Sequence, residues 1–221
     1  MGDVALVCGA SGALGGALVA AFLERGDTVV AADRSANPRT DGARVEAVDL
    51  SKPNDVEALW NRLEADGQLP RWLVNAVGAF RGGTVADSEP ESYGLMHDVN
   101  LATAWWSCRA AARRMQPGGA ILNVAARSAV AGGSASAAYT VAKAGVVRLT
   151  QVLADELRER HIRVNAVLPS VIDTPANRAA MSPEAMRGAV PPEQIAAVVA
   201  FLCSDAATAV SGTALPVYGD A

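Results

Sequence analysis

Short apolar runs alternate with longer mixed segments along the whole chain. Seven runs are predicted as strands: Val4–Cys8, Thr28–Ala32, Val45–Val48, Trp72–Ala76, Ala120–Val124, Ile162–Leu168 and Thr213–Val217. Apolar positions three or four residues apart predict helices between them: Gly15–Arg25, Asn54–Ala65, Glu91–Met115, Ala138–Arg160 and Pro192–Cys203. Apolar strands separated by helices are typical of a parallel sheet covered on both faces. The sequence therefore predicts a single α/β domain over residues 1–221, doubly wound, with about seven parallel strands.

The composition narrows the classes of partner. The 221 residues carry a net charge of −4, with an isoelectric point near 5.2 and no basic patch, so nucleic acid is not expected as a partner. The sequence has no run of about 18 apolar residues, which is the length that would predict a membrane span. The first residues lack the basic start and long apolar run of a signal peptide, so we expect a cytoplasmic protein.

Three cysteines, Cys8, Cys108 and Cys203, are too widely spaced for a disulfide framework or a metal cluster. We expect each to be a small buried apolar residue, and we expect no metal site.

A glycine-rich turn joins the first strand to the first helix. Residues 8–16 read CGASGALGG, and the glycines allow a tight turn and a close approach of the backbone to a pyrophosphate. The free N–H groups of the following helix would face the phosphates. A purely structural turn is the alternative. The expected dinucleotide contacts are Gly9, Ser11, Gly12, Ala13, Leu14 and Gly15.

Acidic residues follow the next two strands. Asp33 is placed to accept hydrogen bonds from the adenosine ribose and to repel a 2′-phosphate, which favours NAD(H) over NADP(H). Arg34 argues in the opposite direction, because it could pair with that phosphate. Asp49, with its neighbour Leu50, would suit the adenine edge, but a helix N-cap is an equally ordinary role for an aspartate here.

Tyr139 and Lys143 lie four residues apart on a predicted helix and therefore share one face. A nearby ammonium favours the phenolate and is expected to lower the pKa of the tyrosine. Such a tyrosine can exchange a proton with a substrate oxygen. A tyrosine and a lysine at this spacing are common on helix surfaces. Together with the glycine turn, they are a more specific sign of an active site.

Taken together, these motifs resemble the short-chain dehydrogenase/reductase family over nearly the full length of the chain. The resemblance implies a Rossmann-type fold and an NAD(P)(H)-dependent oxidoreductase with a small-molecule substrate. It implies Tyr139 as the proton donor, Lys143 as its partner and the nicotinamide ribose ligand, and Asn100 of DVNL as part of the proton path. It also implies cofactor contacts from Asp49, Asn75, Ala76, Val77, Gly78, Pro169, Ile172 and Thr174.

Four positions depart from the family pattern. Cys8 replaces a threonine, Ala76 an asparagine and Ser170 a glycine, and these changes affect local hydrogen bonds or turns. The fourth is Ala126, which lies where the family has its catalytic serine, thirteen residues before the tyrosine. A serine there steadies the developing oxyanion, and losing such a donor typically costs on the order of 10² in rate.

Three explanations of Ala126 remain open. Ser128 could act as a substitute donor if the Ala/Gly/Ser-rich loop from Ala125 to Ser136 shifts. The substrate could be a C=N compound that needs less oxyanion stabilisation than a ketone. Finally, the protein could sense a nucleotide without catalysis.

Two segments are similar to quinonoid dihydropteridine reductases, a branch of the family that also lacks this serine. They are AVLPSVIDTPANRAAM and VNAVGAFRGG. The similarity favours a serine-independent NADH enzyme, with either a ketone or 3-oxoacyl substrate or an imine or dihydropterin substrate. The family also implies a homodimer or homotetramer formed by the helices that carry Asn100 and Tyr139. An outward-facing Trp105 or Trp106 would mark such a contact.

Overall fold

The computed structural model describes residues 2–34, 41–131 and 136–220. Its seven strands are β1 Val4–Cys8, β2 Thr28–Asp33, β3 Arg44–Ala47, β4 Trp72–Asn75, β5 Ala120–Val124, β6 Arg163–Pro169 and β7 Ala214–Val217. They form one sheet in the order β3-β2-β1-β4-β5-β6-β7, and every neighbouring pair is parallel. This confirms the predicted fold class and strand number.

The helices are α1 Ala13–Glu24, α2 Pro53–Ala65, α3 Pro90–His97, α4 Thr103–Arg114, α5 Ala137–Glu156, α6 Pro175–Ala180 and α7 Pro192–Leu202. Two predicted helices are longer than the real ones. The helix predicted over Glu91–Met115 is interrupted by a π-helical turn at Asp98–Ala102. The helix predicted over Ala138–Arg160 ends at Glu156, because the chain tightens into a 3₁₀ turn and then reverses at His161, whose φ is 54°.

Hydrophobic cores lie on both faces of the sheet. Alternate side chains of β1 point to opposite faces, as the two-residue period of a strand requires. Ala5 and Val7 join the core beneath α1 and α7, whereas Leu6 and Cys8 join the core beneath α2, α4 and α5. Both faces are thus covered, which is why the strands read as continuous apolar runs.

The strand order reverses between β1 and β4. Strands β2 and β3 lie on one side of β1, and β4 to β7 lie on the other. The amide of Ala76 donates to the carbonyl of Cys8 at 2.9 Å, so the loops that follow these two strands diverge from one point. Crevices of this kind, at the carboxyl ends of parallel strands, are where open α/β sheets bind ligands.

All three cysteines are buried and unpaired, as predicted, and burial raises each pKa to about 12. Within the described residues, no group of His, Cys, Asp and Glu side chains could hold a metal ion. None of the helices in those parts of the chain is long and apolar enough to cross a membrane.

Candidate active site

The glycine turn at the end of β1 packs against the loop after β4. Gly9 has a φ of +87°, and a methyl group on it would lie 2.7 Å from the amide nitrogen of Val77. A methyl group on Gly15 would lie 2.0 Å from the carbonyl oxygen of Gly9. Larger residues at either position would break the turn, so these two glycines are needed to bring the chain segments together.

The first turn of α1 suits an anion. Gly12 is the N-cap, it supplies no side-chain cap, and no acidic residue lies in the first turn. A methyl group on the exposed Gly12 would meet its nearest atom, the carbonyl oxygen of Gly9, at 3.5 Å, so its own surroundings are open. Unprotected N–H groups at the positive end of a helix favour phosphate. These residues, with Ala13 half-buried and Leu14 buried behind them, therefore fit the pyrophosphate of a dinucleotide.

Asp33 ties β2 to the glycine turn. Its Oδ2 accepts a hydrogen bond from the amide of Ser11 at 3.0 Å, and its Oδ1 accepts one from the amide of Arg34 at 2.7 Å. Asp33 is half-buried and Arg34 is exposed, and the roles expected of both at the adenosine ribose stay predictions. The rest of the predicted loop, residues 35–40, lies outside the described residues.

Asp49 caps a turn rather than the helix that follows. Its Oδ1 accepts from the amide and hydroxyl of Ser51 at 3.0 and 2.7 Å, and the N-cap of α2 is Lys52. These bonds to Ser51 hold the pKa of Asp49 below its usual value. Asp49 and Arg34 line one cleft of about 480 Å³, next to the buried Leu50. The ordinary N-cap role for Asp49 is therefore wrong, and the adenine-side role stays a prediction.

Lys143, Asn100 and Gly78 converge at the carboxyl end of β4. A methyl group on Gly78 would lie 3.2 Å from Oδ1 of Asn100 and 3.3 Å from Nζ of Lys143, so a larger residue there would crowd both side chains. Lys143 is buried, and its ammonium donates to the carbonyl of Val124 at 2.8 Å. Tyr139 lies one turn earlier on α5.

The π-helical turn orients Asn100. Its amide nitrogen donates to the carbonyls of Met96 and Ala79 at 3.0 and 2.9 Å, and its Oδ1 accepts from the amide of Ala79 at 3.2 Å. A π-turn is rare and occurs mostly at functional sites. Here it widens the helix where the asparagine side chain turns back to bind the loop after β4.

Burial is the main cause of the pKa shifts of both Tyr139 and Lys143. It raises the pKa of Tyr139 to about 12 and lowers the pKa of Lys143 to about 8. The predicted lowering of the tyrosine pKa is therefore wrong for the chain alone, because removal from solvent disfavours the phenolate. The phenol keeps its proton at neutral pH and is in the state that a proton donor requires.

Asn75 faces the interior of the sheet. Its side chain is 5% exposed and donates to Oδ1 of Asn123 on β5 at 2.8 Å, while Asn123 donates to the hydroxyl of Thr150 on α5 at 2.9 Å. Sequence reasoning missed this network, although an asparagine inside the apolar run AILNV is a signal of one. Ala76 and Val77 are half-buried and Gly78 is exposed, and the cofactor contacts expected of Asn75 and these three residues stay predictions.

Position 126 offers no side-chain donor, and the substitute role of Ser128 stays a prediction. Ala126 is buried and precedes a 3₁₀ turn over Arg127–Ala129. The hydroxyl of Ser128 is buried without a hydrogen-bond partner among the described residues, so solvent does not reach it. Residues 132–135 of the flexible loop predicted after it lie outside the described residues.

The turn after β6 is held by its own side chains. Pro169 is buried, Ile172 pairs with Val190 in a short bridge, and the Thr174 hydroxyl caps α6 by accepting from the amide of Asn177 at 3.1 Å. The hydroxyl proton of Thr174 is left available for a ligand. Family-derived contacts from these residues stay predictions.

The segment after Gly78, part of VNAVGAFRGG, makes a contact with the site that sequence reasoning missed. The ring of Phe80 contacts the ring of Tyr139, with centroids 5.1 Å apart and an interplanar angle of 73°. Farther along, Gly83 accepts a hydrogen bond from the amide of Ala137 at 2.9 Å. The signal for this contact in the sequence was an aromatic residue two positions after Gly78.

Comparison with known proteins agrees with this geometry. Residues 9–219 match the family model described as enoyl-(acyl carrier protein) reductase. The chain therefore belongs to the short-chain dehydrogenase/reductase family of oxidoreductases.

Individual relatives span a range of activities. The chain is 35% identical to y4vI of Sinorhizobium fredii, an uncharacterized short-chain type dehydrogenase/reductase, over 99% of this chain and 43% of that protein. It is 30% identical to D-threitol dehydrogenase of Mycolicibacterium smegmatis, over 99% of this chain and 92% of that one. It superposes on 4-hydroxyisoleucine dehydrogenase complexed with NADH, with a TM-score of 0.87, 27% identity and coverage of 98% and 97%.

Proposed function

We propose that this protein is an NAD(P)(H)-dependent oxidoreductase that reduces a C=O or C=N bond and uses Tyr139 as its proton donor. The observation that carries the proposal is the convergence of Asn100 and Lys143 on Gly78, one helical turn from Tyr139 and at the crevice where the sheet order reverses. When bound, the nicotinamide supplies the hydride that reduces the substrate carbon, while the substrate oxygen or nitrogen takes the proton of Tyr139.

The residues of the chain fit a dinucleotide. The first turn of α1 would hold the pyrophosphate, Asp33 would accept from the ribose hydroxyls, and Gly78 would let the backbone lie against the nicotinamide side. The carboxylate of Asp33 supports NAD(H) over NADP(H). The NADH of 4-hydroxyisoleucine dehydrogenase supports a nicotinamide cofactor for this chain without choosing between the two.

The missing donor at position 126 supports a substrate that needs little oxyanion stabilisation. An imine or quinonoid C=N unit is already strongly electrophilic or charged, whereas a ketone develops charge on its oxygen that a serine would steady. The secluded hydroxyl of Ser128 also supports a reaction that does without it. A C=N substrate is thus favoured over a ketone or 3-oxoacyl substrate.

One experiment tests the proposed function. Wild type and Tyr139→Phe are assayed with NADH and with NADPH against ketones, 3-oxoacyl thioesters, cyclic imines and quinonoid dihydropterin. Loss of a general acid should lower kcat by about 10² to 10⁴. Cofactor affinity should barely change, because the phenylalanine keeps the ring. Turnover that survives in Tyr139→Phe rules out the proton-donor role, and cofactor binding without any turnover favours a nucleotide sensor.

A Ser128→Ala variant run alongside addresses the substitute donor. Turnover of C=N compounds that is indifferent to Ser128→Ala means that the chain uses no serine. Ketone turnover that Ser128→Ala abolishes means that the loop moves and that Ser128 does the work of the missing donor.

A further inference from the structure

The segment from Ala79 to Gly83 is tethered at both ends to the catalytic helices. At its start, the side chain of Asn100 binds both the amide and the carbonyl of Ala79. At its end, the carbonyl of Gly83 accepts from the amide of Ala137, and Gly83 also pairs with Ser136 as a parallel bridge. Ala137 opens α5 two residues before Tyr139. The segment between these tethers is therefore held beside the tyrosine.

Phe80 projects from this tethered segment in an exposed position. Its side chain is 68% exposed, although its ring contacts that of Tyr139. The Tyr139 hydroxyl has no hydrogen bond to any described residue and is not sealed from solvent. A large apolar ring is thus kept in water at the mouth of the site, directly beside the proton donor.

The two rings form a corner that is nearly a right angle, since their planes meet at 73°. A flat ring stacked on a face of Phe80 would therefore also be steeply inclined to the ring of Tyr139. The lone pair of a ring C=N or C=O lies in the plane of that ring, so a ring stacked there with this group turned to Tyr139 would offer its lone pair to the phenol. Offset stacking of this kind is a preferred geometry for aromatic pairs.

We propose that Phe80 is the platform on which the substrate lies, and that the reducible bond belongs to a flat, unsaturated ring. The inference rests on the proposed function and narrows its substrate class. A phenylalanine that only packs against Tyr139 would affect all substrates alike, whereas a platform discriminates in favour of flat ones.

The test compares two cyclic imines that each contain one reducible C=N bond. 3,4-Dihydroisoquinoline carries a fused aromatic ring, and 2-methyl-1-pyrroline does not. The ratio of their kcat/KM values is measured in wild type, Phe80→Leu and Phe80→Tyr. Loss of stacking should lower the ratio by about 2- to 12-fold in Phe80→Leu, while Phe80→Tyr retains it. Phe201→Leu is the matched control, because Phe201 is also an exposed phenylalanine and lies on α7.

A binding measurement keeps the test independent of turnover. Isoquinoline is titrated into the protein saturated with NAD⁺, and its Kd is measured by calorimetry or ligand-observed NMR. We expect Phe80→Leu to weaken binding by the same factor, and Phe201→Leu to leave it unchanged.

The outcomes separate this inference from the proposed function. Binding of isoquinoline that depends on Phe80, without turnover of any imine, supports the platform and counts against the reaction. Turnover that depends on Tyr139, with an unchanged ratio and an unchanged Kd in Phe80→Leu, overturns the platform and leaves the reaction standing. Failure of wild type to bind isoquinoline also overturns the platform.

Discussion

At the scale of single residues, the buried Lys143 makes the most unusual contact in the site. Lys143 is 4% exposed, and its ammonium donates to one carbonyl, that of Val124, with no carboxylate partner among the described residues. Burying a charge is costly unless it is paired. The lowered pKa of about 8 is the consequence, and it makes stability depend on pH.

We predict that the free energy of unfolding rises between pH 8 and 10 because of Lys143. Both folded and unfolded chains hold this proton below pH 8, so the penalty is fully present there. Above the folded pKa of about 8, only the unfolded chain keeps the proton, up to its ordinary value of 10.5, so stability increases with pH. Urea titrations should show wild type gaining about 2 kcal/mol relative to Lys143→Met between pH 7 and 10.

Lys52 provides the matched control, since it is an exposed lysine at the start of α2. Lys52→Met should show no such change relative to wild type. A wild-type advantage over Lys143→Met that stays constant with pH would mean that Lys143 keeps an ordinary pKa.

At the scale of secondary-structure elements, the π-helical turn decides how the α3–α4 region serves the site. A regular helix over Glu91–Met115 would not have the widened turn from which Asn100 binds both Met96 and Ala79.

An arginine side chain holds the carboxyl-terminal end of α7. Arg25 donates to the carbonyls of Ala200 and Cys203 at 2.8 Å, at the end of α7, where a cation also complements the helix dipole.

Asn100→Leu should destabilise the protein by about 3 kcal/mol, as judged by urea unfolding. The leucine fills similar space but loses the three hydrogen bonds of Asn100 to Ala79 and to the carbonyl of Met96, and each contributes about 1 kcal/mol net. Asp98→Leu, an exposed change on the same turn, should shift stability by no more than about 0.5 kcal/mol. Equal effects of the two substitutions would show that the hydrogen bonds between Asn100 and Ala79 contribute nothing to the free energy of unfolding.

At the scale of the whole molecule, α4 and α5 leave apolar side chains on the surface. Trp105 is 50% exposed, while the adjacent Trp106 packs against the core, as the 100° between neighbouring helix positions predicts. Val141 and Val152 of α5 are 59% and 42% exposed. Ala111 and Met115, farther along the chain from Trp105, are buried in the core and add nothing to this surface.

We predict a homodimer or homotetramer in which α4 and α5 are covered by a second copy. Light scattering should give a mass that is a multiple of the 22.6 kDa chain, and Trp105→Glu should shift it toward the monomer because a charge would be buried at the contact. Val85→Glu, in the exposed loop after β4, is the control and should leave the mass unchanged. A monomeric wild type would contradict the prediction.

The sequence alone determined the class of fold and most of the residues at the crevice. Continuous apolar strands, a glycine turn after β1 and the Tyr139–Lys143 spacing depend on local geometry, which neighbouring residues encode. Even so, the strand ends shifted by a residue or so, and the interrupted helix at Asp98 was missed, because a π-turn repeats no periodic pattern.

Only the tertiary structure decided which groups meet and what their environment does to them. The contact of Phe80 with Tyr139, the Asn75–Asn123–Thr150 network and the position of Gly78 between Asn100 and Lys143 all join residues distant in the chain. The pKa of Tyr139 moved opposite to the expectation from its lysine neighbour. The spacing of two residues along a helix shows only that they are close to each other. Desolvation of the phenol depends on all the residues packed around it, and no local stretch of sequence determines that packing.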